Sequence, residues 1–94
     1  MDYWPEVIQV LPSKDNKVYI YFDDGTIRLF DASDLITKGA FVQLQHGNRF
    51  FDTCTVINHT LAWTPDYSYS EKTCLDIDPV QLYNLCPIVD EPIF

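Results

Sequence analysis

The sequence predicts a small α+β domain, a mostly antiparallel sheet of about five strands with two or three short helices. Three observations carry this. Short apolar runs such as "KVYIYF" and "TIRLFD" are bounded by turn residues, here Asp23, Asp24 and Gly25. A chain of 94 residues has room for one core, and 47% hydrophobic and 15% aromatic residues supply it well. Near the end, "DIDPVQLYNLCP" combines an acidic cap, a proline at the first helical position and an apolar stripe. Residues 1–94 therefore read as a single domain, with a polar insertion at 65–75 and a tail at 87–94.

Taken in order, "EVIQVLP" (6–12) is a first strand, ended by Pro12 and the polar cluster "SKDNK". The next two strands flank the aspartates. A two-residue loop at Asp24 and Gly25 would set Phe22 against Ile27 and Ile20 against Leu29, collecting the aliphatic residues on one face. Tyr19, Tyr21, Arg28 and Phe30 would then share the other face. "DASDLITKG" (31–39) predicts a helix capped by Asp31, with Asp34 in a capping-box position and Gly39 as its stop. Residues 40–46 fit a further helical turn through Phe41 and Leu44, ended by Gly47. "RFFDTCTVIN" (49–58) and "TLAWTP" (60–65) predict two more strands around a turn at Asn58 and His59. In the last helix Asp78 is the cap, Gln81 completes the box, and Leu82, Leu85 and Cys86 face inward.

The net charge is −8 and unevenly placed. Residues 1–63 carry eight acids against five bases, and residues 64–94 carry six acids against Lys72 alone. Such a surface repels nucleic-acid phosphates and anionic lipid, and direct nucleic-acid binding is not expected. It suits solubility or a basic protein partner. No apolar run reaches the roughly 18–20 residues of a membrane span. "MDYWPEV" lacks the basic and apolar regions of a signal peptide, so a cytoplasmic protein is expected. Cys54, Cys74 and Cys86, odd in number and widely spaced, read as reduced thiols rather than a disulfide framework.

Little in the chain looks like catalysis. Asp23 and Asp24 sit where turn chemistry favours aspartate, and no further acid has the spacing of a calcium loop. Asp76 and Asp78 are accounted for by helix capping. His46, His59 and the three cysteines lack the paired spacing of a zinc site. Cys54 lies in a strand and Cys86 on a helical stripe, where thiols are normally inert, which leaves Cys74 as the most reactive candidate. No catalytic, cofactor or metal residue is therefore assigned. The remaining candidates are partner contacts: Asp66, Tyr67, Tyr69 and Glu71 in the insertion, and Tyr19 and Tyr21 on the hairpin. The face bearing Tyr19, Tyr21, Arg28 and Phe30 could be covered by a helix, left open for a protein, or serve as a stacking platform for single-stranded nucleic acid.

The order of these motifs resembles the domain-of-unknown-function 2442 family of small bacterial and phage proteins. Val10 and Pro12 match its opening strand. Phe22, Asp24, Gly25, Arg28, Phe30 and Asp31 match its hairpin, "V.F.DG..R.FD". Leu35, Gly39, Leu44, Phe50 or Phe51, and Trp63 follow, then Asp76, Pro79, Leu82 and Tyr83 match its closing "D.dP..LY". The resemblance covers about residues 5–86. It implies a small antiparallel α+β fold without an established enzyme activity or cofactor. It also implies a regulatory pair with a neighbouring gene product, on the pattern of toxin and antitoxin. The insertion "TPDYSYSEKTCL" departs from the family's short turn. The expected function is thus a non-catalytic acidic protein that binds and regulates a partner with a basic surface. The alternatives are a phage-type inhibitor, such as an anti-CRISPR, whose carboxylates mimic nucleic acid, and an unrecognised enzyme.

Overall fold

A computed structural model describes residues 4–92. Residues 1–3 of the acidic N-terminal segment and Ile93 and Phe94 of the expected tail lie outside the described residues. Val7–Pro12 (β1), Lys17–Phe22 (β2) and Ile27–Asp31 (β3) form an antiparallel sheet in the order β1-β2-β3. The alternation of β2 is as predicted: Val18, Ile20 and Phe22 are buried, while Tyr19 and Tyr21 are half-buried on the opposite face.

The predicted hairpin register is wrong by one residue. Tyr21 pairs with Ile27, Ile20 with Arg28, Tyr19 with Leu29 and Val18 with Phe30. The cause lies in the turn. Gly25 donates its N–H to the Phe22 carbonyl at 3.1 Å, and Phe22 donates to the Thr26 carbonyl at 3.0 Å. Gly25 sits at φ +88°, so Asp23, Asp24 and Gly25 make a three-residue loop, a type I turn closed by a left-handed residue. Asp24 Oδ1 accepts from the Thr26 N–H at 2.9 Å and from its hydroxyl at 2.7 Å, holding that loop closed. Because side chains alternate with period two, one extra loop residue turns the whole of β3 over. Arg28 and Phe30 join the core face, and Ile27 and Leu29 join Tyr19 and Tyr21 outside.

The predicted helix at 31–39 shrinks to the 3-10 turn Leu35–Thr37. Asp31 caps the Ser33 N–H at 3.0 Å in a local turn instead of a helix, and Asp34 makes no side-chain cap. Gly39 opens, rather than closes, a second 3-10 segment, Gly39–Gln45, which buries Leu44 as expected. The predicted strand at 49–58 divides into the helix Arg49–Thr53 (α1) and the strand Cys54–Ile57 (β4). Helical spacing wins at its start because Phe50 and Thr53, three apart, both reach the core. There Phe50 meets the Trp63 ring at 5.5 Å, and the Thr53 hydroxyl closes on the Arg49 carbonyl at 2.7 Å.

β4, Thr60–Trp63 (β5) and Leu75–Asp76 (β6) form a second antiparallel sheet in the order β4-β5-β6. The fold thus holds two three-stranded sheets where one of five strands was predicted. The helical run from Leu35 to Thr53 carries the chain off the end of β3, and the β4-β5 hairpin returns beside β1. The two sheets meet where Val7 donates to the His59 carbonyl at 2.9 Å. The expected turn at Asn58 and His59 is present, with φ of +52° and +63°. These left-handed values define a two-residue type I′ turn, and glycine suits its second position better than histidine. His59→Gly is expected to stabilise the fold by about 0.5–1 kcal/mol, read as a rise of a few degrees in Tm.

Pro79–Leu85 (α2) begins as predicted, with Asp78 accepting from the Val80 N–H at 2.9 Å. Leu82 and Cys86 face the core, but Leu85, expected inward, is 72% exposed. In so short a helix Leu82 and Cys86, four apart, fill the inward stripe and leave Leu85 on its flank. Residues 87–89 pair with β3. Leu29 donates to the Pro87 carbonyl at 3.0 Å and Val89 to the Ile27 carbonyl at 2.8 Å. The core lies between the inner face of the first sheet, Leu61 and Trp63 of β5, Ile36, Leu44 and Phe50, and Leu82 and Cys86.

Candidate functional site

The reversed register gathers a half-buried apolar face on the first sheet that no core residue covers among the described residues. Leu11 lies opposite Tyr19, and Tyr19 opposite Leu29; Gln9 lies opposite Tyr21, and Tyr21 opposite Ile27. Val89 extends this face beyond Ile27. Leu11, Tyr19, Tyr21, Ile27, Leu29 and Val89 are each half-buried, and none belongs to the core or packs against it. Two of the six candidate contacts, Tyr19 and Tyr21, are therefore on an open surface. Ile27 and Leu29 were missed because a two-residue turn had placed them inside.

The face has an acidic rim. Asp31 ends β3 two residues after Leu29, on the same face, and Glu91 lies near enough to Tyr21 for its charge to act there, while Asp23 in the turn accepts from the Glu6 N–H at 3.3 Å. Lys17, two residues before Tyr19, is paired with Asp15 at 3.5 Å. The Tyr21 phenol is pushed up, first by the side chains crowding it and then by the charge of Glu91 and by Tyr19. Hydrogen bonding from Ser33 holds the Asp31 carboxyl below its ordinary value, with Lys17 adding to the effect. Past the β3 edge, Lys17, Leu29 and Asp31 also line a groove of about 440 Å³ that runs toward Leu85.

The insertion is on the other sheet, between β5 and β6, so the structure does not bring the two tyrosine pairs together. Tyr67 and Tyr69 are exposed, at φ +61° and +53°. Both hydroxyls turn back to α1: Tyr67 donates to Asp52 Oδ2 at 3.3 Å and Tyr69 to the Asp52 carbonyl at 2.9 Å. Asp66 accepts from the Ser68 N–H at 3.0 Å, and the Glu71 carbonyl accepts from the Cys74 thiol at 3.4 Å. The insertion's polar groups thus hold its own shape. Burial pushes the Cys74 thiol up, with Asp76 adding to it, and pushes Cys54 up to about 12. Both thiols stay protonated at neutral pH.

The most connected ionisable cluster joins the hairpin tip to α2. Tyr83 donates to Asp24 Oδ2 at 2.6 Å, and the Arg28 guanidinium lies 3.9 Å from the Tyr83 ring centre. Arg28 also donates to the Tyr83 carbonyl at 2.8 Å and the Cys86 carbonyl at 3.3 Å, satisfying the end of α2. Desolvation pushes the Asp24 carboxyl up. The hydrogen bonds from Tyr83 and Thr26, with Arg28 nearby, outweigh it and hold the group below 3.8. A carboxylate so held stabilises the fold fully above its ordinary value and loses that contribution as pH falls through the folded value. Asp24→Asn is expected to lower Tm at pH 7, and the gap to wild type to narrow below about pH 4. Thermal unfolding at pH 7, 4 and 3 measures this; a gap that widens in acid contradicts it.

These features describe a small acidic α+β domain whose first sheet is clasped to a closing helix on one face and open on the other. The chain belongs to the family described as "Protein of unknown function (DUF2442)", whose model matches residues 7–87. Among curated proteins and solved structures, nothing matches it. The family pattern gains a physical meaning here. Asp24, Arg28 and Tyr83, on which the resemblance was drawn, are the residues of the clasp.

Proposed function

We propose that this protein is a non-catalytic interaction module that binds a partner protein through the open face of its first sheet and regulates it. One observation carries the reading: six apolar or aromatic side chains lie contiguous and half-buried on a sheet face that no core residue covers. An antiparallel sheet with one solvated face normally shows polar residues there, and an apolar face marks a contact surface. The Asp24–Tyr83–Arg28 cluster supports the non-catalytic part, because each member is engaged in holding the hairpin to α2. The insertion serves better as a brace for α1 than as the main contact.

A photo-crosslinking residue placed at position 21 is expected to give a discrete protein adduct in the cells that make this protein. Ile27→Glu should abolish that adduct, and a crosslinker at position 67 should give none. An adduct from position 67 alone, or one from position 21 that survives Ile27→Glu, contradicts the reading. No adduct from either position contradicts it as well.

A further inference from the structure

We infer that the partner segment seated on this face is a single basic amphipathic helix, an inference that rests on the interaction reading above. The edges of the sheet leave little alternative to face-on docking. The β3 edge is taken by residues 87–89, and β1 abuts the second sheet through the Val7–His59 bond. Strand addition at either edge would displace these contacts.

The dimensions of the face suit a helix. Three strands about 4.8 Å apart, plus the terminal segment, give a strip about 15 Å wide. Strands of five or six residues make it about 17–20 Å long. A helix of about 12 residues is about 18 Å long and about 10–12 Å across, so one helix lying along the strands covers the strip.

Charge selects the helix's flanks. Asp31, at the end of β3, and Glu91, whose charge acts on Tyr21, border the apolar strip, while Lys17 is engaged with Asp15. Lys or Arg residues beside an apolar stripe would meet these acids as the stripe covers Tyr19, Tyr21, Ile27 and Leu29. A second copy of this chain would bring Asp31 and Glu91 against the same acids, in a chain of net charge −8. A helix is therefore favoured over self-association.

The probe is a synthetic 14-residue helical peptide with leucines at positions i, i+3, i+4 and i+7 and lysines on both flanks. Two peptides accompany it: one with glutamates on the flanks, and one with the lysines kept but the leucine spacing scrambled. Titrated into the isotopically labelled full chain, the basic amphipathic peptide should shift backbone amides at 17–21, 27–31 and 87–91. Neither control peptide should do so. Its affinity should fall at least tenfold in Tyr21→Glu and in Leu29→Glu, with circular dichroism confirming that both variants fold. Affinity should also fall as salt is raised.

Equal binding of the glutamate peptide, shifts centred on 66–71, or no binding of the basic peptide overturns the inference. So does concentration-dependent dimerisation through the same amides. If the position-21 adduct forms but the basic peptide does not bind, the interaction surface stands and the helical partner falls. If neither is seen, both fall.

Discussion

Trp63→Ala is expected to remove about 3–5 kcal/mol of stability, the largest single loss in the chain. Trp63 is fully buried and closes the core from the second sheet, with Phe50 at 5.5 Å and Phe41 at 6.1 Å between ring centres. Truncation leaves a cavity lined by the 3-10 segment, α1 and β5, elements too short to collapse into it as units. For a domain of this size the loss translates to about 15 °C or more in Tm. Trp63→Phe should cost much less. The indole Nε1–H is buried and finds no hydrogen-bond partner among the described residues, so phenylalanine forfeits volume but no bond. Urea unfolding followed by far-UV circular dichroism measures both variants. A loss in Trp63→Phe as large as in Trp63→Ala contradicts this expectation.

The core was largely legible in the sequence, and the open face was not. Val18, Ile20 and Phe22 alternate so regularly that β2 could be read in only one way. Trp63 and Leu82 likewise sat inside their predicted elements. Asp78 and Pro79 marked the start of α2 because capping and a fixed φ act locally. The errors fall where two local solutions compete and only tertiary contacts decide. "DDG" fits a two-residue or a three-residue loop equally well, both with a left-handed glycine, and the choice turns on Asp24, which keeps a negative φ and bonds Thr26. "RFFDT" fits either period until Phe50 has Trp63 to pack against. Leu85 satisfies a helical stripe but lies on its flank, since α2 is too short to bury all three positions. The candidate face inherits the hairpin error directly, which is why Tyr19 and Tyr21 were legible there and Ile27 and Leu29 were not.

Arg28 discriminates between the two hairpin registers and is expected to show the second large effect. With a two-residue loop its side chain would lie on the solvent face, where substitution typically costs less than about 0.5 kcal/mol. In the observed register it reaches over Tyr83 and donates to two carbonyls at the end of α2. Arg28→Met keeps most of the aliphatic length but removes the guanidinium and leaves those carbonyls without it. The expected cost is about 2–3 kcal/mol, combining a charged donor pair with a cation over an aromatic face. Arg28→Lys should recover only part, because an ammonium can replace the single guanidinium nitrogen that serves both carbonyls but not the planar group stacked on the Tyr83 ring. A double-mutant cycle with Tyr83→Phe should show coupling, since Arg28 stacks on the ring whose hydroxyl holds Asp24. The same variant also separates stability from recognition. Arg28 lies on the core side of β3, opposite Ile27 and Leu29, so Arg28→Met, held well below its lowered Tm, should bind the basic helical peptide as tightly as wild type. Lost binding by a folded Arg28→Met protein would mean that the clasp, not the open sheet, forms the contact surface.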